Sequence, residues 1–270
     1  MRQQMTRSPL LGFRAVAGMS ARQVFDGNLL SLGGELTVRF LQCLLLTLIW
    51  RSLDAAGLDL GMSSISQLLT YTLMASIWSQ QLNIVTPATS ALWEGSIIGR
   101  YTRPMGVLLS LMAETIGRWW IPVFCLYGFP LWLLSPVLGI SPLPASLTDG
   151  IYAIISLALS ASLGFAMDFL FAAFAMRLKN GCWAATHVRE AAHALFSGAL
   201  IPFTLFPAGL GRVLELLPMG SIAHAPLAIY TGMAEPWQLI GLQVLWNFVL
   251  WPLALTVFHK SEERMISYGG

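Results

Sequence analysis

The chain has 270 residues, 56% of them apolar and 10% charged, with a formal net charge of +2. Soluble domains carry about a quarter charged residues, because a surface in water needs them. The composition therefore excludes a soluble globular domain, a disordered chain, a disulfide-built secreted scaffold and a basic nucleic-acid binder. What remains is a chain that faces lipid, long enough for about six spans of ~20 residues and leaving no room for a separate soluble catalytic domain.

In chain order, residues 1–28 set Arg2, Arg7, Arg14 and Arg22 among Phe13, Val16, Met19 and Phe25. No long apolar core follows the basic start, as a signal peptide would require. The pattern predicts an amphipathic elbow on the cytoplasmic face. Charge-poor runs then predict an all-α polytopic membrane domain over 29–270, with spans near 29–50, 63–85, 105–134, 151–176, 191–206 and 236–258. The first span carries Glu35 and Arg39, spaced to pair on one helix face. The third carries Glu114 and Arg118 at the same spacing, which predicts an internal ion pair, with a place along a transport path as the alternative. Asp168 in the fourth has no basic neighbour before Arg177. A contact to another helix and a cavity-lining role are both open for it, since an ionisable group in a span is a functional candidate by default. Ser156, Ser160, Ser162 and Gly164 around it favour close helix packing.

Basic residues orient the chain. With a cytoplasmic N-terminus, the inner segments collect Arg2, Arg7, Arg14, Arg22, Arg100, Arg103, Arg177, Lys179, Arg189, Lys260 and Arg264, whereas the outer loops hold only Arg51 and Arg212. Both termini are placed inside. Two connections differ from ordinary loops. Residues 88–105 mix Trp93, Glu94, Ile97, Ile98, Arg100, Tyr101 and Arg103, as a short helix across the inner membrane face would. Residues 207–235 are nearly as apolar as the spans and hold Pro207, Pro218 and Pro226, which fits re-entrant half-helices covered by other protein.

Several chemistries lack their motif. No phosphate-wrapping GxxxxGK[ST] loop, dinucleotide GxGxxG or GxSxG nucleophile elbow is present. Cys43, Cys125 and Cys182 have no paired spacing and read as small buried residues. The nearest approach to a metal site is His187, Glu190 and His193, which would make the chain an intramembrane metal-dependent enzyme. A secondary transporter is a further alternative, although no inverted repeat relates residues 31–140 to 151–260.

Two runs carry a family likeness. Residues 93–105, with Glu94–Gly95, Tyr101 and Arg103–Pro104–Met105, resemble the segment after the second span of ABC-2 type exporter permeases. The run Phe196–Ser197–Gly198 to Pro202, followed by Phe206–Pro207 and Leu217–Pro218–Met219, is similar to that family's approach to its outer half-helices. Pro226 and Tyr268–Gly269–Gly270 continue the likeness, most specifically that of the subfamily in which permeases occur as dissimilar pairs. Asn180–Gly181–Cys182–Trp183 departs from it. The resemblance implies a bacterial inner-membrane export permease that is not itself an enzyme and binds no cofactor. ATP and magnesium would sit on two copies of a cytoplasmic ATPase, and a second permease, identical or paralogous, would complete the path. Residues 91–104 become the coupling helix, with Glu94, Gly95, Arg100, Tyr101, Arg103 and Pro104 as candidate ATPase contacts. Glu114, Arg118 and Asp168 are candidates for the path, and Pro202, Pro207 and Pro218 for the re-entrant segment.

Overall fold

The computed structural model describes residues 9–27, 29–57, 64–101, 105–175, 182–207 and 209–267. Among these residues the chain is helical and holds no strand. Helix α1 covers Pro9–Gly27 and α2 covers Leu29–Ala55. They are followed by α3 (Ile65–Ile77), α4 (Ser79–Leu82) and α5 (Ala88–Trp93). A 3-10 turn spans Ser96–Arg100, and α6 runs over Val107–Leu134. Then come α7 (Leu147–Ala175), α8 (Cys182–Phe196), α9 (Leu210–Leu216), α10 (Pro218–Tyr230) and α11 (Pro236–Ser267).

Four of these helices are long and apolar enough to cross a membrane: α2, α6, α7 and α11. Two of the six predicted spans take another form. The second is α3, opened by a Ser64–Gln67 capping box, and its 13 residues rise only ~20 Å. It breaks at Trp78, α4 adds one turn, and residues 83–86 leave the helical conformation ahead of Pro87. The fifth is displaced. Helix α8 begins at Cys182 and stops at Phe196, because Ser197 leads into Gly198 at φ +75°, a left-handed position suited to glycine. Beyond it, α9 and α10 form an apolar pair bent by 105° at Leu217–Pro218. They are the two half-helices expected before the last span.

Helix α6 stays continuous through two prolines by widening. Its π turns Ile116–Trp120 and Phe124–Gly128 each end two residues before a proline, Pro122 and Pro130. Proline supplies no N–H to the turn behind it and its ring crowds the carbonyl there, and a π turn opens the space. Helix α1 packs on α6 at this place. Ala17, Ser20 and Val24 are buried while Arg14 and Arg22 are exposed, the amphipathic pattern read from the sequence. A Cβ on Gly117 would stand 2.0 Å from the Ala17 carbonyl oxygen. Only glycine permits this approach.

The core is built around α7, which packs against α10, α11, α4 and α5. Gln243, fully buried on α11, donates to the carbonyls of Ser156 (3.1 Å) and Ser221 (2.8 Å) and accepts from Ser156 Oγ (2.9 Å). Ser160 donates to the Ile222 carbonyl. The small face expected on this helix is therefore in use, and at Gly164 a Cβ would meet Ile84 at 2.9 Å.

Candidate functional site

A groove of about 440 Å³ opens between α2, the α3–α4 region and α8. Helix α2 contributes Glu35, Arg39, Gln42, Cys43 and Leu46, a single helical stripe. Glu35 and Arg39 pair at 2.6 Å, as their spacing predicts. Arg39 Nη1 also donates to Ser79 Oγ (2.6 Å), and Gln80 Nε2 donates to Glu35 Oε1 (3.4 Å). The floor is thus a neutralised ion pair ringed by amides and hydroxyls, and Glu190 and His193 of α8 stand on another wall. The sequence carries no pattern that singles out Gln42, Ser79, Gln80 or Asn83; only the packing of three helices brings them to one surface.

Glu114, Arg118 and Asp168, the candidates for a path or for polar contacts within the spans, do not line this groove. Glu114 pairs not with Arg118 but with Arg100, at 2.7 Å, joining the 3-10 turn to α6. Arg118 lies inside the π turn that begins at Ile116, which carries it round the helix, and its guanidinium rests 5.6 Å from the ring centre of Trp119. Trp119 itself does reach the groove.

Asp168 is buried, with only 2% of its surface exposed, and has a basic partner that the sequence did not reveal. Arg189, on α8, donates to Asp168 Oδ1 at 2.7 Å and to the Ile84 carbonyl at 2.9 Å through the same Nη1. Asp168 Oδ2 accepts from the Thr86 backbone N–H (3.0 Å) and hydroxyl (2.5 Å). Thr86 Oγ1 in turn accepts from the Ala88 N–H at 3.1 Å, at the start of α5. One turn further along α8, His193 Nε2 donates to the Leu82 carbonyl at 2.7 Å. The broken segment between α4 and α5 therefore has Leu82 O, Ile84 O and Thr86 N satisfied by side chains from α7 and α8. A broken backbone at membrane depth needs such partners.

That arrangement dissolves the metal reading. His187 and Glu190 approach at 3.6 Å on the exposed side of α8, whereas His193 is turned to Leu82. No trio of His, Cys, Asp or Glu able to hold a metal forms among the described residues. Cys43 lies buried at the groove, as expected of a small core residue, but Cys125 is exposed on α6.

A second buried cluster holds the re-entrant region. Tyr71 of α3 gives its hydroxyl proton to the Gly198 carbonyl (2.6 Å), so its oxygen accepts from His224 Nδ1 (3.1 Å). The His224 backbone N–H reaches the Ser197 carbonyl (2.9 Å), and Phe203 lies against the imidazole, ring centres 4.5 Å apart. Pro202 opens the short turn that carries Phe203, and Pro218 is the first residue of α10. Pro207 is exposed ahead of α9.

The segment likened to a coupling helix is α5 with the 3-10 turn. Ala88, Ala91, Leu92 and Ile97 are buried, and Gly95 joins the two pieces at φ +72°. Trp93, Glu94, Ile98 and Tyr101 form an exposed surface of aromatic and apolar groups around one carboxylate. Arg100 is turned inward to Glu114, whereas Arg103 and Pro104 lie outside the described residues, as do Arg177, Lys179 and Tyr268–Gly270.

A polytopic helical chain with a bent helix pair ahead of its last long helix is what the residue runs had suggested, whereas the break in the second span is new. The family model of the ABC-2 family transporter protein matches residues 36–269. The chain belongs to this family. No curated protein and no solved structure matches it. As an ABC-2 family transporter protein it is the permease component of an ABC transporter, a membrane transport subunit.

Proposed function

We propose that this permease forms one half of an ATP-driven export path in the bacterial inner membrane, with both termini in the cytoplasm. A separate ATPase in two copies binds ATP and magnesium, and a second permease, identical or paralogous, closes the path from the other side. The single observation that carries this reading is the joint presence of the groove and the exposed α5 surface in a family member with no phosphate-binding loop of its own. Lipid is an unfavourable neighbour for Glu35, Arg39 and the amides beside them, since charge in hydrocarbon is expensive. A second permease half over the groove removes that exposure.

The depth of the parts follows from α1. An amphipathic helix with arginines on its outer face rests at the membrane interface, and α1 meets α6 at Gly117. Glu114 and Arg118 then lie near the cytoplasmic surface, and the groove at Trp119 and Arg39 is the inward-facing mouth. Trp93, Glu94, Ile98 and Tyr101 dock the ATPase, with Arg103 and Pro104 in the same segment. Arg100 braces that surface to α6 through Glu114, and residues 202–230 form the outer, re-entrant end.

The test is co-purification of the chain with its ATPase from native membranes. Trp93→Asp and Glu94→Lys are expected to release the ATPase while the permease remains inserted. Undiminished ATPase recovery with both variants would sink the assigned docking surface.

A further inference from the structure

Asp168 stands on a different helix from Arg189 and His193, and the fold places all three on one object. That object is the non-helical stretch between α4 and α5. It joins the groove-lining end of α4 to the docking surface of α5, so it is the direct chain connection between α5 and the groove. Its polar backbone groups are not bonded to one another: Leu82 O is held by His193 (2.7 Å), Ile84 O by Arg189 (2.9 Å) and Thr86 N by Asp168 (3.0 Å). Two of these three side chains stand on α8, one helical turn apart. His193, with Glu190 and Ala194 of the same helix, also forms a wall of the groove. The network therefore has α5 on one side and the groove wall on the other. Nη2 of Arg189 is buried and has no partner among the described residues, and a cavity of about 60 Å³ lined by Arg189, His193 and Gly164 leaves the guanidinium room to shift.

We propose that Asp168 and Arg189 are positioning residues for transport: they clamp the segment 82–88 between α7 and α8, so that movement of α5 changes the width of the groove through α8. The inference rests on the permease reading above and adds to it the route by which the docking surface reaches the cargo path. The ion pair is anchored at both ends, by the Thr86 hydroxyl and N–H on the carboxylate and by the Ile84 carbonyl on the guanidinium. Sites separated in this way are coupled when both bias one two-state element, here the angle of α8.

Cys43 supplies a native reporter, because it faces the groove. With Cys125→Ser and Cys182→Ser it becomes the sole thiol of the chain. The complex, co-purified with its ATPase and placed in lipid nanodiscs, is treated with a maleimide in the absence of nucleotide and with ATP plus orthovanadate. Nucleotide is expected to change the Cys43 alkylation rate about tenfold in the parent, and by less than about twofold in Asp168→Asn and Arg189→Ala. ATPase recovery stays unchanged in both. Arg189→Lys, which keeps one cationic donor for Asp168 and Ile84, is expected to restore the response. Thr86→Val carries the same test should Asp168→Asn fail to accumulate, since it removes one anchor and leaves the ion pair. A full nucleotide response in Asp168→Asn or Thr86→Val overturns the clamp, as does a Arg189→Lys variant no better than Arg189→Ala. Failure of the permease reading looks different: the parent chain then recovers no ATPase, or its Cys43 ignores nucleotide.

Discussion

The two buried polar clusters solve the same problem with different chemistry. Around Thr86 a broken segment is held by an ion pair, Asp168 to Arg189 at 2.7 Å. Around Gly198 another break is held by neutral groups, Tyr71 and His224, with Phe203 packed on the ring. The neutral cluster is packed: at Gly198 a Cβ would come within 2.9 Å of His224 and 3.0 Å of Phe203. The ionic cluster has a small cavity beside it and a guanidinium nitrogen with no partner among the described residues. The lesson is that burial alone does not set rigidity. A tight neutral contact suits a segment that stays put, whereas a charged contact with space around it suits one that shifts yet keeps its partner.

This contrast can be broken by measurement. Arg189→Ala leaves a buried carboxylate without its counter-ion and is expected to cost about 3–5 kcal/mol, the largest fall in thermal unfolding temperature of the purified chain. A loss no greater than that of a neutral-cluster variant would break the comparison. Gly198→Ala adds a methyl group to a crowded left-handed position and is expected to cost about 2–3 kcal/mol, read in the same melt. If it instead melts like the parent, the cluster is looser than its contacts imply. Tyr71→Phe removes one hydroxyl from two partners, with an expected cost of about 1–2 kcal/mol. Glu35→Gln, at a partly buried pair, should lower stability by less than about 1 kcal/mol. Its effect is expected instead on transport through the groove, so a large stability loss with transport intact would show Glu35 to be structural.

Much of this was readable along the chain, and the reasons are local. The Glu35–Arg39 pair needs only helical spacing, and both residues sit within one uninterrupted helix. The same spacing does not pair Glu114 with Arg118, because Arg118 sits inside a π turn whose cause, Pro122, acts from further along. The amphipathic pattern of α1 was legible, but not that Gly117 lets it touch α6. The half-helices 210–216 and 218–230 followed from prolines and apolarity. The end of α8 at Phe196 was missed because the apolar run continues past a glycine that turns the backbone.

By itself the sequence determined that this is a helical membrane protein, roughly where its apolar runs lie, and the family to which it belongs. These depend on composition and on motifs a few residues long. Only the tertiary structure decided which charges meet. Asp168 finds Arg189 across 21 residues and Thr86 across 82, and the groove is assembled from stripes on separate helices. Such partners are chosen by the packing of broken backbone against intact helices, because in lipid every exposed N–H and C=O must be answered from within the protein.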